Sequence, residues 1–298
     1  MRYAALMPLL ALACPPSVLL GQITDGGDAS GASRRADPAL RVVSLHPAAT
    51  EILLALGASD LLVARMEGDI PTPPEGSALA ALPSVGEMLT PNLEVLASVE
   101  PDLVIAWTGS NLSALSRVVE RRGGRVEALT VERLGDVRPA IERIGAWVGR
   151  EEIAERLADS LEAKLATAQR EAPVGAARPR VLWIVWSEPI MVAGPATFIH
   201  DVIEAAGGRN AAETVAAPWP RLGMESIVAL DPDVLVWPEG PGLFPAAELP
   251  RRAGWRTLAA VEEGRVVVVD AERFHDAGPE IADAALDLAR SLRRLGPP

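Results

Sequence analysis

Residues 92–109, NLEVLASVEPDLVIAWTG, align without a gap on residues 223–240, GMESIVALDPDVLVWPEG. Glu94 meets Glu225, Pro101 meets Pro232, Asp102 meets Asp233 and Gly109 meets Gly240. Each half also opens on Arg-Val and a strand, RVVSL (41–45) and RVLWIVW (180–186). Such an echo leaves few architectures open, and it predicts two similar α/β lobes. Between the copies lies REEIAERLADSLEAKLATAQREA (150–172), without glycine or proline. Ile153, Leu157, Leu161 and Leu165 recur every four residues and share one stripe. The stretch reads as one helix roughly 30 Å long. The expected fold class is therefore α/β: two Rossmann-like lobes joined by a single long backbone helix, with a ligand cleft between them.

The expected first lobe covers 41–149, the connecting helix 150–172 and the second lobe 173–298. In the first lobe, Thr50 is placed to cap the helix EILLALG, which Gly57 ends. Strands follow at LLVAR (61–65), LVIAW (103–107) and RVEAL (125–129). Pro91 suits the start of a helix over NLEVLASV, and a further helix runs from Leu112 to Arg122, stopped by Gly123-Gly124. In the second lobe a helix over 197–206 ends at Gly207-Gly208, strands follow at VLVW (234–237) and RVVVV (265–269), and a last helix spans Pro279 to Leu295. Alternation of this kind implies parallel sheets covered by helices on both faces.

Residues 1–22 carry Arg2 and then an apolar run interrupted by prolines, which reads as a secretory signal. The only cysteine, Cys14, suits bacterial lipidation after cleavage, or else leaves with the signal; either way the mature chain forms no internal disulfide. Residues 23–40, rich in Gly, Ser, Asp and Ala, read as a flexible tether. A net charge of −12 without any Lys/Arg cluster argues against nucleic acid and anionic membrane surfaces as partners. No HExxH, P-loop, dinucleotide fingerprint or GxSxG motif is present. Ser44, His46 and Asp60 have nothing in the sequence that makes them a triad.

The segment APWPRLGMES (217–226) sets Trp219 between Pro218 and Pro220, which cannot donate backbone hydrogen bonds. Trp219 is either an exposed indole on a stiff cleft rim or a core residue stapling a loop. Trp107 ends the strand LVIAW, and ligands of open α/β sheets lie beyond strand carboxyl ends, so it either faces the cleft or rims the core. Trp237 sits at the matching strand end of the second lobe but is offset by one residue in the repeat.

These segments resemble the substrate-binding proteins that feed ABC importers of corrinoids, haem and ferric siderophores, and are most similar to the cobalamin-binding branch. RVVSLHPAATE, PNLEVLASVEPDLVIAWTGSN, the Pro-Trp-Pro segment with GMESIVAL, and ERFHDAGPEI fall in the family's order and spacing across residues 41–290. The resemblance implies an extracytoplasmic monomer that captures cobalamin or a related corrinoid and hands it to a membrane permease, with modest hinge motion, no catalysis and no catalytic cofactor. It implies ligand contacts from Trp107 and Trp219, from the loop bearing Glu272, Phe274, His275 and Asp276, and from Met66 and Met191, although each methionine reads equally as core packing. His275 is also an axial ligand candidate for a bound cobalt or iron, or else a solvated loop histidine. Glu94 and Glu225 take the positions of the family's permease-docking glutamates; in isolation each reads equally as an acid in a first helical turn.

The chain departs from the cobalamin binder in lacking a tryptophan near Val85–Met88 and in carrying Asp276 where some relatives have a positive charge. Haem or a ferric siderophore is the alternative ligand within the fold. Haem binders of this shape often use a tyrosine, yet the only one here is Tyr3, and no group of basic residues stands out in the cleft segments for a siderophore. A periplasmic α/β hydrolase is the alternative of another class. His46 is open to ligand contact, helix capping or a turn role, and His200, within a helix, reads as structural.

Overall fold

A computed structural model describes residues 40–67, 79–173, 178–240, 243–271 and 276–297. The signal segment, Cys14 and the tether up to residue 39 lie outside the described residues.

The first sheet has the order β2-β1-β3-β4 and is parallel throughout, built from β1 (Val42–Leu45), β2 (Leu62–Ala64), β3 (Leu103–Trp107) and β4 (Arg125–Leu129). Strands β1 and β3 pair from Val42↔Leu103 to Leu45↔Ala106 and are buried on both faces, which is why they read as unbroken apolar runs. Helix α1 (Pro47–Ala55) starts earlier than the expected Thr50 cap. Pro47 occupies its first turn, His46 is the N-cap residue, and Thr50 Oγ1 instead donates back to the His46 carbonyl at 3.5 Å. Helix α2 (Leu93–Ser98) is capped not at Pro91 but by Asn92, whose Oδ1 accepts from the Glu94 and Val95 amides at 3.0 and 3.2 Å. Helix α3 (Leu112–Val119) continues as a 3-10 turn to Arg122 before Gly123 takes φ +84°. Helix α4 (Leu134–Val148) was not expected from the sequence; it carries Pro139 inside and ends at Gly149, in the left-handed region.

Helix α5 (Glu151–Glu171) follows and is the expected rod. Its most buried line is Ala154, Ala158, Leu161 and Ala168, with Ile153, Leu157 and Leu165 flanking it half-buried. Alanines permit close approach: a Cβ on Gly145 of α4 would overlap that of Ala154. One apolar cluster runs from Leu103 and Ile105 of the first sheet through this alanine line to Val181, Trp183 and Val234 of the second. The rod is thus embedded in packing from both sides.

The second sheet has the order β6-β5-β8-β9, with β7 also pairing β5. Its strands are β5 (Arg180–Ser187), β6 (Ile190–Val192), β7 (Arg209–Asn210), β8 (Val234–Glu239) and β9 (Val266–Asp270). Only β6 is antiparallel, folding back on β5 as a hairpin. Helices α6 (Phe198–Ala205), α7 (Met224–Leu230), α8 (Ala259–Glu262) and α9 (Ile281–Leu295) complete the lobe. Along α9, Asp283 meets Lys164 at 2.8 Å, and Arg290 and Arg293 both meet Glu171 at 3.1 Å, which fixes α9 against the rod.

The sequence echo is reproduced atom by atom. In the first lobe the Arg41 amide donates to Asp102 Oδ2 (2.8 Å), and its guanidinium donates to the Val99 and Glu100 carbonyls (2.8 and 3.1 Å). In the second, the Arg180 amide donates to Asp233 Oδ2 (2.7 Å), and its guanidinium to Leu230 and Asp231 (2.6 and 3.2 Å). Glu100 and Asp231, the turn residues so held, both take positive φ near 40°. Alanine at Asp102 or at Asp233 removes the same contact, so each is expected to cost about 1 kcal/mol by urea unfolding, in equal measure. A cost confined to one of the two would show that the motifs are not equivalent.

Candidate functional site

The segments leaving the carboxyl ends of the two sheets touch each other. Arg133, beyond β4, donates through Nε to Asp201 Oδ2 in the first turn of α6 (2.7 Å), and the Leu134 amide donates to the same oxygen (3.0 Å). Glu51, the fifth residue of α1, lies so close to Gly278, beyond β9, that a Cβ on Gly278 would overlap its carboxylate. Segments beyond the carboxyl ends of the two sheets are therefore held against each other. Each sheet also has its topological switch at this edge, between β1 and β3 in the first and between β5 and β8 in the second, where open α/β sheets bind ligands.

On the first lobe, β1 delivers His46 and β3 delivers Trp107 to the switch point. Trp107 is half-buried, and its six-membered ring lies against Gly109, where any Cβ would overlap it. Glycine here lets a large indole fold down beside the strand end. Thr108 and Thr130 join the ends of β3 and β4 by a 2.8 Å hydroxyl pair, and Ser110 Oγ donates to the Met88 carbonyl at 3.4 Å. His46 is 6% exposed, and its Nδ1 is buried without a hydrogen-bond partner among the described residues. Burial penalises the imidazolium and pushes its pKa down to about 4, so the ring is neutral at physiological pH.

On the second lobe, the prolines around Trp219 have a clear use. They cannot donate, but their carbonyls accept: Val192 N to Pro220 O at 3.2 Å and Gly194 N to Pro218 O at 2.8 Å, while Leu222 N donates to Ile190 O at 3.0 Å. The segment thereby lies as an extra antiparallel strand on β6. It seats closely because a Cβ on Gly194 would overlap the Ala217 carbonyl oxygen. Trp219 is 40% exposed and braced by Phe198, whose ring centroid is 5.8 Å away at 57°. Met191 is half-buried and pairs across the strands with Arg221 on one side and Trp186 on the other.

Other expected residues are arranged differently. Met66 is 6% exposed and belongs to the interior, so it offers almost no surface to a ligand. Both carboxylate oxygens of Asp276 are buried. Trp237 is fully buried: its Nε1 donates to the Phe244 carbonyl (3.0 Å), and its ring packs against Phe244 and Trp255. Its one-residue offset from Trp107 places it on the opposite strand face. Glu272, Phe274 and His275 lie outside the described residues. Glu94 and Glu225 are both exposed in the first turns of α2 and α7. His200 Nδ1 lies 3.3 Å from the Asn210 amide nitrogen, within the fabric of the second lobe. Sequence reasoning overlooked Trp186, which is 40% exposed on the β5–β6 hairpin, and Arg221.

Comparison with known proteins gives a consistent result. The family model described as "Periplasmic binding protein" matches residues 42–273. The chain is 30% identical to an uncharacterised ABC transporter substrate-binding lipoprotein, YvrC, of Bacillus subtilis, over 85% of this chain and 79% of that one. It is 27% identical to the vitamin B12-binding protein of Salmonella typhimurium, over 86% of this chain and 91% of that one. Among solved structures, the periplasmic heme-binding protein RhuT of Roseiflexus sp. RS-1 superposes with a TM-score of 0.74 at 26% identity, covering 87% of this chain and 99% of that one.

Proposed function

The chain belongs to the periplasmic binding protein family, and from that premise we propose an extracytoplasmic carrier that captures cobalamin or a related corrinoid between its lobes and delivers it to an ABC importer. The observation that carries this reading is Trp219, a braced indole left 40% exposed on a proline-stiffened rim. A corrin offers a broad apolar face, and an indole buries a large area against such a face. Trp107 at the opposing switch point supplies the second wall. Lobes over 41–149 and 173–298 around the rod 150–172 give the cleft its two rigid jaws. Glu272, Phe274 and His275 complete the second jaw in this reading, with His275 as an axial ligand candidate for a metal in the cargo. Anchoring through a lipidated Cys14 would hold the carrier beside its permease.

Haem is the second reading, and the likeness to a heme-binding protein favours it. A visible-absorption titration of the purified protein with cyanocobalamin, cobinamide and haemin separates the two. Saturable binding of a corrinoid at least about tenfold tighter than haemin is expected. The reverse order would establish haem, and no binding of any of the three would reject the proposal.

The paired rim carboxylates of Glu94 and Glu225 are assigned to docking on basic residues of the permease, since charge complementarity orients encounter. The double alanine variant is expected to bind ligand as the wild type does and to lose most uptake in reconstituted vesicles. Normal uptake would remove the docking role.

A further inference from the structure

The rim of the second lobe carries two side chains that the reading above does not use, Trp186 and Arg221. They belong to one surface. Met191 pairs with Trp186 across the hairpin and with Arg221 across the neighbouring segment, so the three side chains share a face of this antiparallel patch. Trp219 lies two residues before Arg221 on the same extended segment and so on the same face. The indole of Trp186 is already satisfied, because its Nε1 donates to the Glu188 carbonyl at 2.9 Å. Its ring is therefore pinned at the rim with a face free for contact. Arg221 is exposed and has no ion pair, hydrogen bond or aromatic stack from its side chain among the described residues. The nearby carboxylate of Glu188 is engaged with Arg252 at 3.1 Å.

We infer that Trp186, Met191, Arg221 and Trp219 form one recognition surface, on which Arg221 pairs with an anionic group, carboxylate or phosphodiester, at the edge of a planar ligand. The inference rests on the reading of the cleft as a macrocycle site. A guanidinium matches carboxylate and phosphate oxygens in a two-pronged geometry, and an unpaired one beside a stacking plate is placed to fix the ligand's rotation in its plane. The need for it is electrostatic: a chain of net charge −12 repels an anionic cargo unless a cation stands at the point of contact.

The test uses matched ligands that differ in the anionic group. Haemin is compared with its dimethyl ester, and cyanocobalamin with cobinamide, which lacks the nucleotide loop carrying the phosphodiester, so that in the second pair the anion's share is the part of the preference that Arg221→Gln removes; the two pairs separate the carboxylate source from the phosphodiester source. Binding is measured for the wild type, Arg221→Gln, Arg221→Lys and Trp186→Ala, with melting temperatures as the fold control. In whichever pair binds, the wild type is expected to favour the anionic member by about tenfold, and Arg221→Gln to remove the anion's share of that preference while leaving the neutral member unchanged. Arg221→Lys should restore part of the preference and its salt dependence. Trp186→Ala should weaken both members alike, by about fivefold. Arg221→Gln acting equally on both members, or on neither, overturns the anion role. Unchanged binding by Trp186→Ala removes the tryptophan from the surface. If the wild type binds no macrocycle at all, the reading of the cleft fails, and this inference with it.

Discussion

Replacing Trp107 and Trp219 together with alanine is expected to weaken corrinoid binding by about a hundredfold or more. Each indole is taken to contribute at least about 1.4 kcal/mol by covering one apolar face of the macrocycle, which corresponds to a factor of ten. The residues stand on different lobes, Trp107 at the end of β3 and Trp219 on the strand beside β6, so their losses should add. Neither change should unfold the protein, because Trp219 is 40% exposed and Trp107 is only half-buried. Calorimetry on the single and double variants reads the effect directly. A double variant within about threefold of the wild type would mean that stacking does not drive recognition.

A second large effect lies in acid. Burial lowers the His46 pKa from 6.5 to about 4 in the folded chain. Above pH 6.5 the imidazole is neutral in both states, and its contribution to stability is fully present. As the pH falls from 6.5 towards 4, the unfolded chain takes up a proton that the folded chain refuses, so stability is lost through that window. The loss amounts to about 3 kcal/mol, and below the folded pKa the curve flattens for this group. Carboxylates titrate in the same range, so the readout is the difference between the wild type and His46→Gln in urea unfolding at pH 7, 5 and 4. The gap should change by about 3 kcal/mol in favour of the variant as the pH falls. Parallel curves would show that His46 is not the group responsible.

Much of this architecture was legible because backbone regularity leaves a strong trace in sequence. The gapless echo and the shared Arg-Val openings have their counterpart in the equivalent Arg41–Asp102 and Arg180–Asp233 contacts, which the pattern itself did not specify, and the glycine-free stretch foretold α5 within a residue at each end. Helix α4 escaped notice because Gly135, Pro139 and Gly145 look like breakers. Pro139 lies inside the helix nonetheless, and Gly145 is small because Ala154 presses on it. Helix starts shifted because Pro47 and Asn92 supply better first-turn and cap chemistry than Thr50 and Pro91.

At the site, Trp219 takes the exposed one of the two alternatives its prolines left open, whereas Trp186 did not follow from the pattern WIVW. Trp183 in the same strand is buried, and the register shift between Ile184 and Trp186 turns the later indole outward. A bulge of this kind depends on the partner strand, which local pattern does not specify. Met66 shows a related limit: its position left ligand contact and core packing equally open, and the packing of this chain buries it.

The most direct test of the central claim is a crystal structure with cyanocobalamin bound. The corrin is expected in the cleft, with the rings of Trp107 and Trp219 on opposite lobes and each within about 4 Å of the ligand. A ligand seated elsewhere, or one in the cleft that leaves both indoles untouched, would contradict it.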